Sequence, residues 1–418
     1  MNKKIKNKAQ EFYDVIIVGG GLSGLQTAVS LAHYGVSACV IERGSIDSII
    51  NDKFDGRTCA IAKASSNLMK KTGVWDKVEK IAEPMWDIDI QDGDLVKGAS
   101  PFSMHYNCDL VGGEALGYIF ENNALRKGLY QRLQELDNAK LYDGVENFDY
   151  EINETQVDFE FNDNKVSGKL LIACDGKFSK IREQQNIELV KWNYNQTAIV
   201  CTVDCEKNHR GTAVELFLPS GPFASLPMND NKMSIIWSEK TDIVPELMSL
   251  NTQDFKNQLK QRFGDWLGDI RVVDDKRFSY PLSLQHAKTY IKPRLALVAD
   301  SAHSMHPIAG QGFNMGMRDI AALTECLVNA KRQGRDIGDM EVLQQYEQFR
   351  YVDNTALVMV CDGLTRLFSN DVGILRLARV AGLGMLDKIR PAKKFFMKHA
   401  MGMVGFSIPL LLTDDQDL

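Results

Sequence analysis

The turn Gly19-Gly20-Gly21-Leu22-Ser23-Gly24 constrains this chain more than any other stretch. It follows a short apolar strand, Phe12 to Val18, and opens a helical pattern through Leu25, Ala28, Leu31 and Ala32. A second strand, Ala38 to Ile41, ends in Glu42, with Arg43 beside it. A G-x-G-x-x-G turn between strand and helix, followed by an acid roughly 20 residues on, is the arrangement that binds a dinucleotide. Gly19 permits the tight turn, Gly21 lets a pyrophosphate reach the backbone, and Gly24 lets helix and strand pack closely. Glu42 is placed to bond a ribose hydroxyl. The expectation is an α/β fold built on a Rossmann-like parallel sheet.

A second glycine-lined turn lies near the other end. An apolar strand, Leu295 to Val298, stops at Asp300; a loop then carries Pro307, Gly310 and Gly312, and a helix is expected from Asn314. Glycines at that density let backbone N–H groups come close to a ligand. The helix start behind them offers unpaired donors and a partial positive charge, which suits something flat, polar and partly anionic.

Between the two turns the pattern changes. Leu170 to Ala173 reads as a buried strand ending at Cys174-Asp175-Gly176, with Arg182 soon after, and a helical period covers Glu121 to Leu136. From about residue 190 to about 285, strand-like alternation dominates (Thr197 to Val203, Ala213 to Leu218, Met233 to Trp237), which predicts an antiparallel sheet. The predicted organisation is a discontinuous nucleotide-binding domain (1–78, 112–185 and 286–365), an antiparallel substrate domain (79–111 and 186–285) and a C-terminal helical, membrane-facing segment (366–418).

Charge narrows the function classes. With 49 basic and 55 acidic residues the chain is net −6, which speaks against nucleic acid as a partner. Basic residues nevertheless gather between Arg366 and Lys398, eight against two acids, and a mostly apolar run, Ala400 to Leu412, follows. That run is too short to span a bilayer. A basic, apolar helical tail suits either an anionic membrane surface or a packed subdomain with solvated lysines. Eight cysteines without a framework, and a lysine-rich start (Lys3, Lys4, Lys6, Lys8) in place of a signal peptide, point to the cytoplasm; the first reading of the tail would add a peripheral position on the inner face of its membrane. Asp300, His303 and His306 have the residue types of a metal site, but the loop accounts for their spacing and no metal is expected.

Taken together, Gly19–Gly24 with Glu42, Asp175-Gly176 with Arg182, and Asp300 through Gly312 resemble the class A FAD-dependent aromatic hydroxylases, over nearly the whole chain. Within that group the closest resemblance is to the ubiquinone-biosynthesis hydroxylases. It is carried by Arg57 in Asp-Gly-Arg-Thr-Cys-Ala-Ile, by Gly221 to Met228, by His306 through Asp319, and by Tyr346 to Asp353 with Leu364 and Phe368. The string Pro307-Ile308-Ala309-Gly310-Gln311-Gly312-Phe313-Asn314 is its most specific part. The chain departs from the family at Ala299, where a glycine is usual, and at His306, where a proline is usual.

The resemblance implies a role for each motif. Gly19, Gly21, Gly24, Glu42 and Arg43 would hold the ADP half of FAD, Asp300 its ribityl chain, and Gly310, Gln311, Gly312, Phe313 and Asn314 its ring. Arg57 would sit near the flavin or its phosphates; Asp175 and Gly176 are tied to both FAD and the nicotinamide. Pro307, with its carbonyl at the reacting edge, is the one catalytic residue carried over. Tyr194, Tyr118 and His286 are acid–base candidates by residue type alone. No second G-x-G-x-x-G follows a strand, so NADH or NADPH would dock transiently as co-substrate.

The expected activity is monooxygenation of the ring of a polyprenylated phenol with O2, alongside other ubiquinone-biosynthesis proteins. Two alternatives remain at this level: a reductase on the same scaffold, separated by whether NAD(P)H oxidation needs O2, and a flavin-holding scaffold protein without turnover.

Overall fold

The computed structural model describes residues 11–47, 56–95, 98–369, 379, 382, 384–385, 387–403, 408–414 and 418. Its centre is a parallel arrangement made from the most continuously apolar runs of the chain. Strand Glu11–Val18 pairs in parallel with Asn164–Ala173 on one side and Ala38–Ile41 on the other. Leu295–Leu297 and Ala139–Tyr142 extend the sheet outward, also in parallel. Val15 to Ile17, Ala38 to Val40 and Leu170 to Ala173 are all fully buried, as strands covered on both faces must be.

The register of these strands positions the site. Val18 lies opposite both Ala173 and Ile41, and Ala173 lies opposite Leu297, so four strands end level with one another. The residues that follow, Gly19, Glu42, Cys174 and Val298, therefore gather at one edge. Cross-strand bonds carry the pairing one step further: Gly19 N–H to Ile41, Cys174 N–H to Val18, and Val298 N–H to Ala173. That edge is the carboxyl end of a parallel sheet, where open α/β folds bind ligands.

A nine-stranded, mostly antiparallel sheet stands apart from this one. Its long strand, Leu189–Cys205, pairs with Lys232–Lys240 and with Phe278–Ala287. Gly221–Met228 and Thr212–Leu218 follow outward, then Asp87–Asp94, parallel to its neighbour, and Gly98–Asn107. It has its own core, in which Phe223 and Trp237 of the sheet pack against Phe263 and Phe255 of helix Thr252–Phe263. The short strand His303–Ser304 joins this sheet through Phe278–Ala287, so the loop carrying Asp300 is stitched to both layers. Glu83–Met85 belongs instead to a small sheet with Thr58–Ala62 and Gly117–Glu121.

Helices Leu22–His33, Gln311–Arg332 and Met340–Phe368 close the parallel sheet, and Arg390–Ala400 follows toward the C-terminus. A buried ionic network joins two of them. Asp319 accepts from Arg350 Nε at 3.0 Å and Asn354 Nδ2 at 2.9 Å, while Arg350 Nη1 and Arg318 Nη1 donate to Asp353 at 2.7 and 3.2 Å. Asp319 also accepts from the Ala299 N–H at 3.1 Å and from His303 Nε2 at 2.5 Å, which pins the Asp300 loop to the helix.

The fold class expected from the sequence is the one found: a parallel sheet interrupted by an antiparallel one, then helices. One boundary moves. The second helix starts at Gln311 rather than Asn314, because Gly310 takes a left-handed conformation (φ 61°) as its cap and frees the next residue to turn. Among the described residues no helix is long and apolar enough to cross a membrane. The lysine-rich start lies outside the described residues.

Candidate active site

A cavity of about 1050 Å³ lies between the two sheets, lined by both glycine turns. Gly21, Leu22, Ser23 and Glu42 reach it from the first turn; Asp300, Pro307 and Gly310 to Asn314 reach it from the second. Arg57 and Gly176 line it as well. Its volume lies at the top of the ~300–1,000 Å³ range usual for small-molecule sites, large enough for a dinucleotide.

At the first turn the helix meets the strand at van der Waals limits. A Cβ on Gly24 would stand 1.8 Å from the Gly19 carbonyl oxygen, whereas one on Gly21 would meet nothing within 4 Å. Gly24 is thus a packing position and Gly21 an open one, facing the cavity. The Glu42 carboxylate accepts from the N–H of Gly20 at 2.5 Å and of Gly44 at 2.8 Å. Arg126, from helix Asn122–Gln134, donates its Nε to the Gly20 carbonyl at 2.9 Å and pairs with Glu42 at 3.4 Å. This arginine lines the cavity and carries no motif that would reveal it in the sequence.

At the second turn the helix N-terminus points into the cavity, with Gln311, Gly312 and Phe313 at its opening. Their N–H groups have no intrahelical partner, and the helix dipole adds positive potential there. Asn314 fastens the turn to the neighbouring sheet: Oδ1 accepts from Ala62 N–H and Ser65 Oγ, both at 2.8 Å, and Nδ2 donates to the Ala60 carbonyl at 2.7 Å. The Pro307 carbonyl accepts from the Gly310 N–H at 3.1 Å. Asp300 lines the cavity and is exposed to it; desolvation by the cavity walls pushes its carboxyl up, and His303 and Lys177 offset part of the effect. Ala299, where the family has glycine, sits at φ 57° with its methyl against Gly316.

Asp175 lies one residue off the cavity wall. Its Oδ2 accepts from Ile181 N–H at 3.2 Å, while Oδ1 is buried without a hydrogen-bond partner, and burial pushes the carboxyl up. Arg182 ties this turn to the second one, donating to the carbonyls of Ser301 at 2.8 Å and Lys177 at 2.9 Å. Gly19 and Gly24 stand behind the wall, and Arg43 is exposed away from it. Tyr194, Tyr118 and His286 do not line the cavity either. Tyr194 meets His306 edge-on, Tyr118 packs on Trp75, and His286 bonds Tyr290. Glu215, on the antiparallel sheet, does line it, and the sequence reading missed it.

The cavity suits a flavin dinucleotide: an open glycine turn at one end, a carboxyl for a polyol in the middle, and unpaired helix donors for the ring. Comparison with known proteins agrees. Residues 12–359 match the family model described as FAD binding domain. The chain belongs to this family. It is 42% identical over 399 residues to ubiquinone hydroxylase UbiL of Rhodospirillum rubrum, covering 95% of this chain and 91% of that one. It is 31% identical to the 3-demethoxyubiquinol 3-hydroxylase of Escherichia coli, covering 93% and 98%. Among solved structures, p-nitrophenol 4-monooxygenase PnpA from Pseudomonas putida DLL-E4 superposes with a TM-score of 0.76 over 96% of this chain and all of that one; at 18% identity this is a likeness of fold. The family brings FAD as cofactor and the enzyme class of a flavoprotein monooxygenase.

Proposed function

We propose that this protein hydroxylates the ring of a polyprenylated phenol in ubiquinone biosynthesis, using NADH or NADPH and O2. The observation that carries the reading is the convergence of two turns, far apart in sequence, on one cavity whose remaining walls are mostly apolar. The 42% identity to a ubiquinone hydroxylase along almost the full chain supports the substrate class.

FAD, when bound, supplies the hydride acceptor and the site of O2 activation. The residues around it bind, orient and keep dry. Gly21 and Gly24 shape the turn for the pyrophosphate, with Gly19 behind them, and Glu42 takes a ribose hydroxyl. Arg126 fixes both the turn and Glu42. Asp300 accepts from the ribityl hydroxyls. The N–H groups at Gln311, Gly312 and Phe313 favour negative charge on the reduced ring, and Asn314 holds their loop in place. Arg57 attracts the phosphates. Asp175 and Gly176, clamped by Arg182, stand where the nicotinamide docks, and Pro307 lies at the reacting edge. Ile88, Ile90, Met104, Ala224 and Leu226 line the far wall and exclude water.

The substrate's isoprenoid chain lives in lipid, and the surface next to the cavity suits an anionic membrane. Val360, Leu367 and Phe396 are exposed and also line the cavity. Arg366, Lys394 and Lys398 lie on the same two helices. The enzyme thereby sits peripherally on the inner face of the cytoplasmic membrane, beside other proteins of the pathway.

Purified protein should be yellow and release FAD on denaturation. With NAD(P)H and O2 it should convert 2-prenylphenol to a product one oxygen atom heavier. NAD(P)H oxidation that proceeds equally well without O2 refutes the hydroxylase reading. Rescue of a deletion strain by a flavin-free Asp300→Ala variant would show scaffolding instead.

A further inference from the structure

Five adjacent strands of the antiparallel sheet contribute residues to the cavity wall. On Thr212–Leu218 Ala213, Val214, Glu215 and Phe217 line it, and Ala213, Glu215 and Phe217 share one face of the strand. The residues in register with Glu215 are Ala224 and Ile90, both apolar and both lining the same space. Among the described cavity-lining residues of this sheet, Glu215 bears the single carboxyl, and Tyr106 is the other ionisable side chain. The Glu215 carboxyl makes no hydrogen bond or ion pair with the protein, and burial alone pushes it up to about 8. An unpartnered carboxyl in an apolar wall costs stability. Its partner comes from outside the chain.

We infer that Glu215 is a catalytic residue that hydrogen-bonds the substrate's ring hydroxyl and takes its proton. The assignment rests on the phenol-hydroxylase reading above. The hydroxyl O–H bond breaks, the proton passes to the Glu215 carboxylate, and the electron pair stays on the phenol oxygen. Delocalised into the ring, that pair enriches the carbon that receives one atom of O2; the two electrons of NAD(P)H reduce the other atom to water. The proton on the hydroxylated carbon leaves to water as aromaticity returns, and Glu215 gives its own proton back to the phenol oxygen. A carboxyl raised toward the pKa of a phenol is better matched to this transfer than an ordinary one.

Other ionisable groups lining the cavity do not duplicate it. Burial pushes Tyr106 up to about 12, with Asp387 adding to it, and Cys361 up to about 11. Arg379 pairs with Asp92, and burial lowers His399 below its ordinary value. Toward the glycine turns, Glu42 pairs with Arg126 and Arg57 and Asp300 face the cofactor end. Glu215 is the group of the sheet wall that changes charge near pH 8.

The test measures binding of 2-prenylphenol and of its methyl ether, 2-prenylanisole, to the FAD-loaded protein across neutral to alkaline pH. Phenol affinity should rise as pH approaches about 8 and level off above it. The ether, which has no proton to give, should bind with a flat profile. In Glu215→Gln the phenol profile should flatten too, and kcat for hydroxylation should fall by about 100-fold or more, the range of a lost general base. FAD content measured alongside reports whether the variant folds. Indistinguishable phenol and ether profiles in the unmodified protein overturn the assignment, even if the variant fails to fold. So does a folded Glu215→Gln protein with unchanged kcat. A protein that hydroxylates no phenol at all sinks the functional reading; one that does so with flat profiles sinks Glu215 alone.

Discussion

Replacing Asp319 by asparagine keeps the side-chain volume and removes one buried charge from the network behind the second glycine turn. Asp319 and Arg350 are both wholly buried. Without the Asp319 charge, Arg318 and Arg350 face a single carboxylate, Asp353. Breaking a buried pair from one side costs about 3–5 kcal/mol, because the remaining charge stays out of water uncompensated. At about 2–4 °C per kcal/mol for a domain of ordinary size, the melting midpoint should drop by about 6–20 °C. The Ala299 N–H and His303 lose a charged acceptor at the same time, so FAD retention should fall with stability. Denaturant unfolding followed by circular dichroism and by flavin fluorescence measures both. Arg350→Met should cost a similar amount, and the double variant less than the sum, since Arg318 and Asp353 survive as one pair. The pH dependence has a definite sign. Burial alone would raise the Asp319 carboxyl, but His303, Arg350 and Asn354 hold it at about 2, below its ordinary 3.8. Its contribution is present at neutral pH and is lost as pH falls from about 4 toward about 2. An Asp319→Asn protein within about 1 kcal/mol of the original would refute the claim that this charge holds the turn.

Gly24→Ala would place a Cβ 1.8 Å from the Gly19 carbonyl, which forces helix and strand apart; a loss of about 1–3 kcal/mol and a colourless preparation are expected, read by denaturant midpoint and flavin absorbance. Glu325 accepts from the Leu411 N–H at 2.9 Å, and burial pushes its carboxyl from 4.5 up to about 7. A raised carboxyl lowers stability as pH climbs between those values, so Glu325→Gln should flatten that part of the stability–pH curve and melt higher than the original at alkaline pH. Co-sedimentation should be strong with phosphatidylglycerol vesicles, weak with phosphatidylcholine, and should weaken with salt; equal binding to both would remove the membrane reading.

Much of the fold is legible in the sequence because its central strands are unbroken apolar runs and its first turn is dense in glycine. The start of the second helix is hidden in the sequence for a physical reason: Gly310 and Gly312 look like loop, yet one is the left-handed cap and the other lies in the first helical turn. Arg126 could not be anticipated, since its helix shows only an ordinary apolar stripe and the Gly20 contact spans 106 residues. Glu215 did leave a trace. In Thr212–Leu218 the apolar alternation of Ala213 and Phe217 is broken by one acid, and a charge on the inward face of a strand is the kind of violation that functional sites produce.

Strand Leu295–Leu297 enters the parallel sheet only after all of the antiparallel layer but its short last strand, His303–Ser304, has been traversed. On the ribosome, a nascent chain that has emerged as far as the antiparallel layer holds the first turn but lacks the wall opposite it. Cofactor capture is therefore a late event in biosynthesis, and a message truncated before that strand yields a polypeptide with an apolar edge at Leu171–Ala173 open to aggregation.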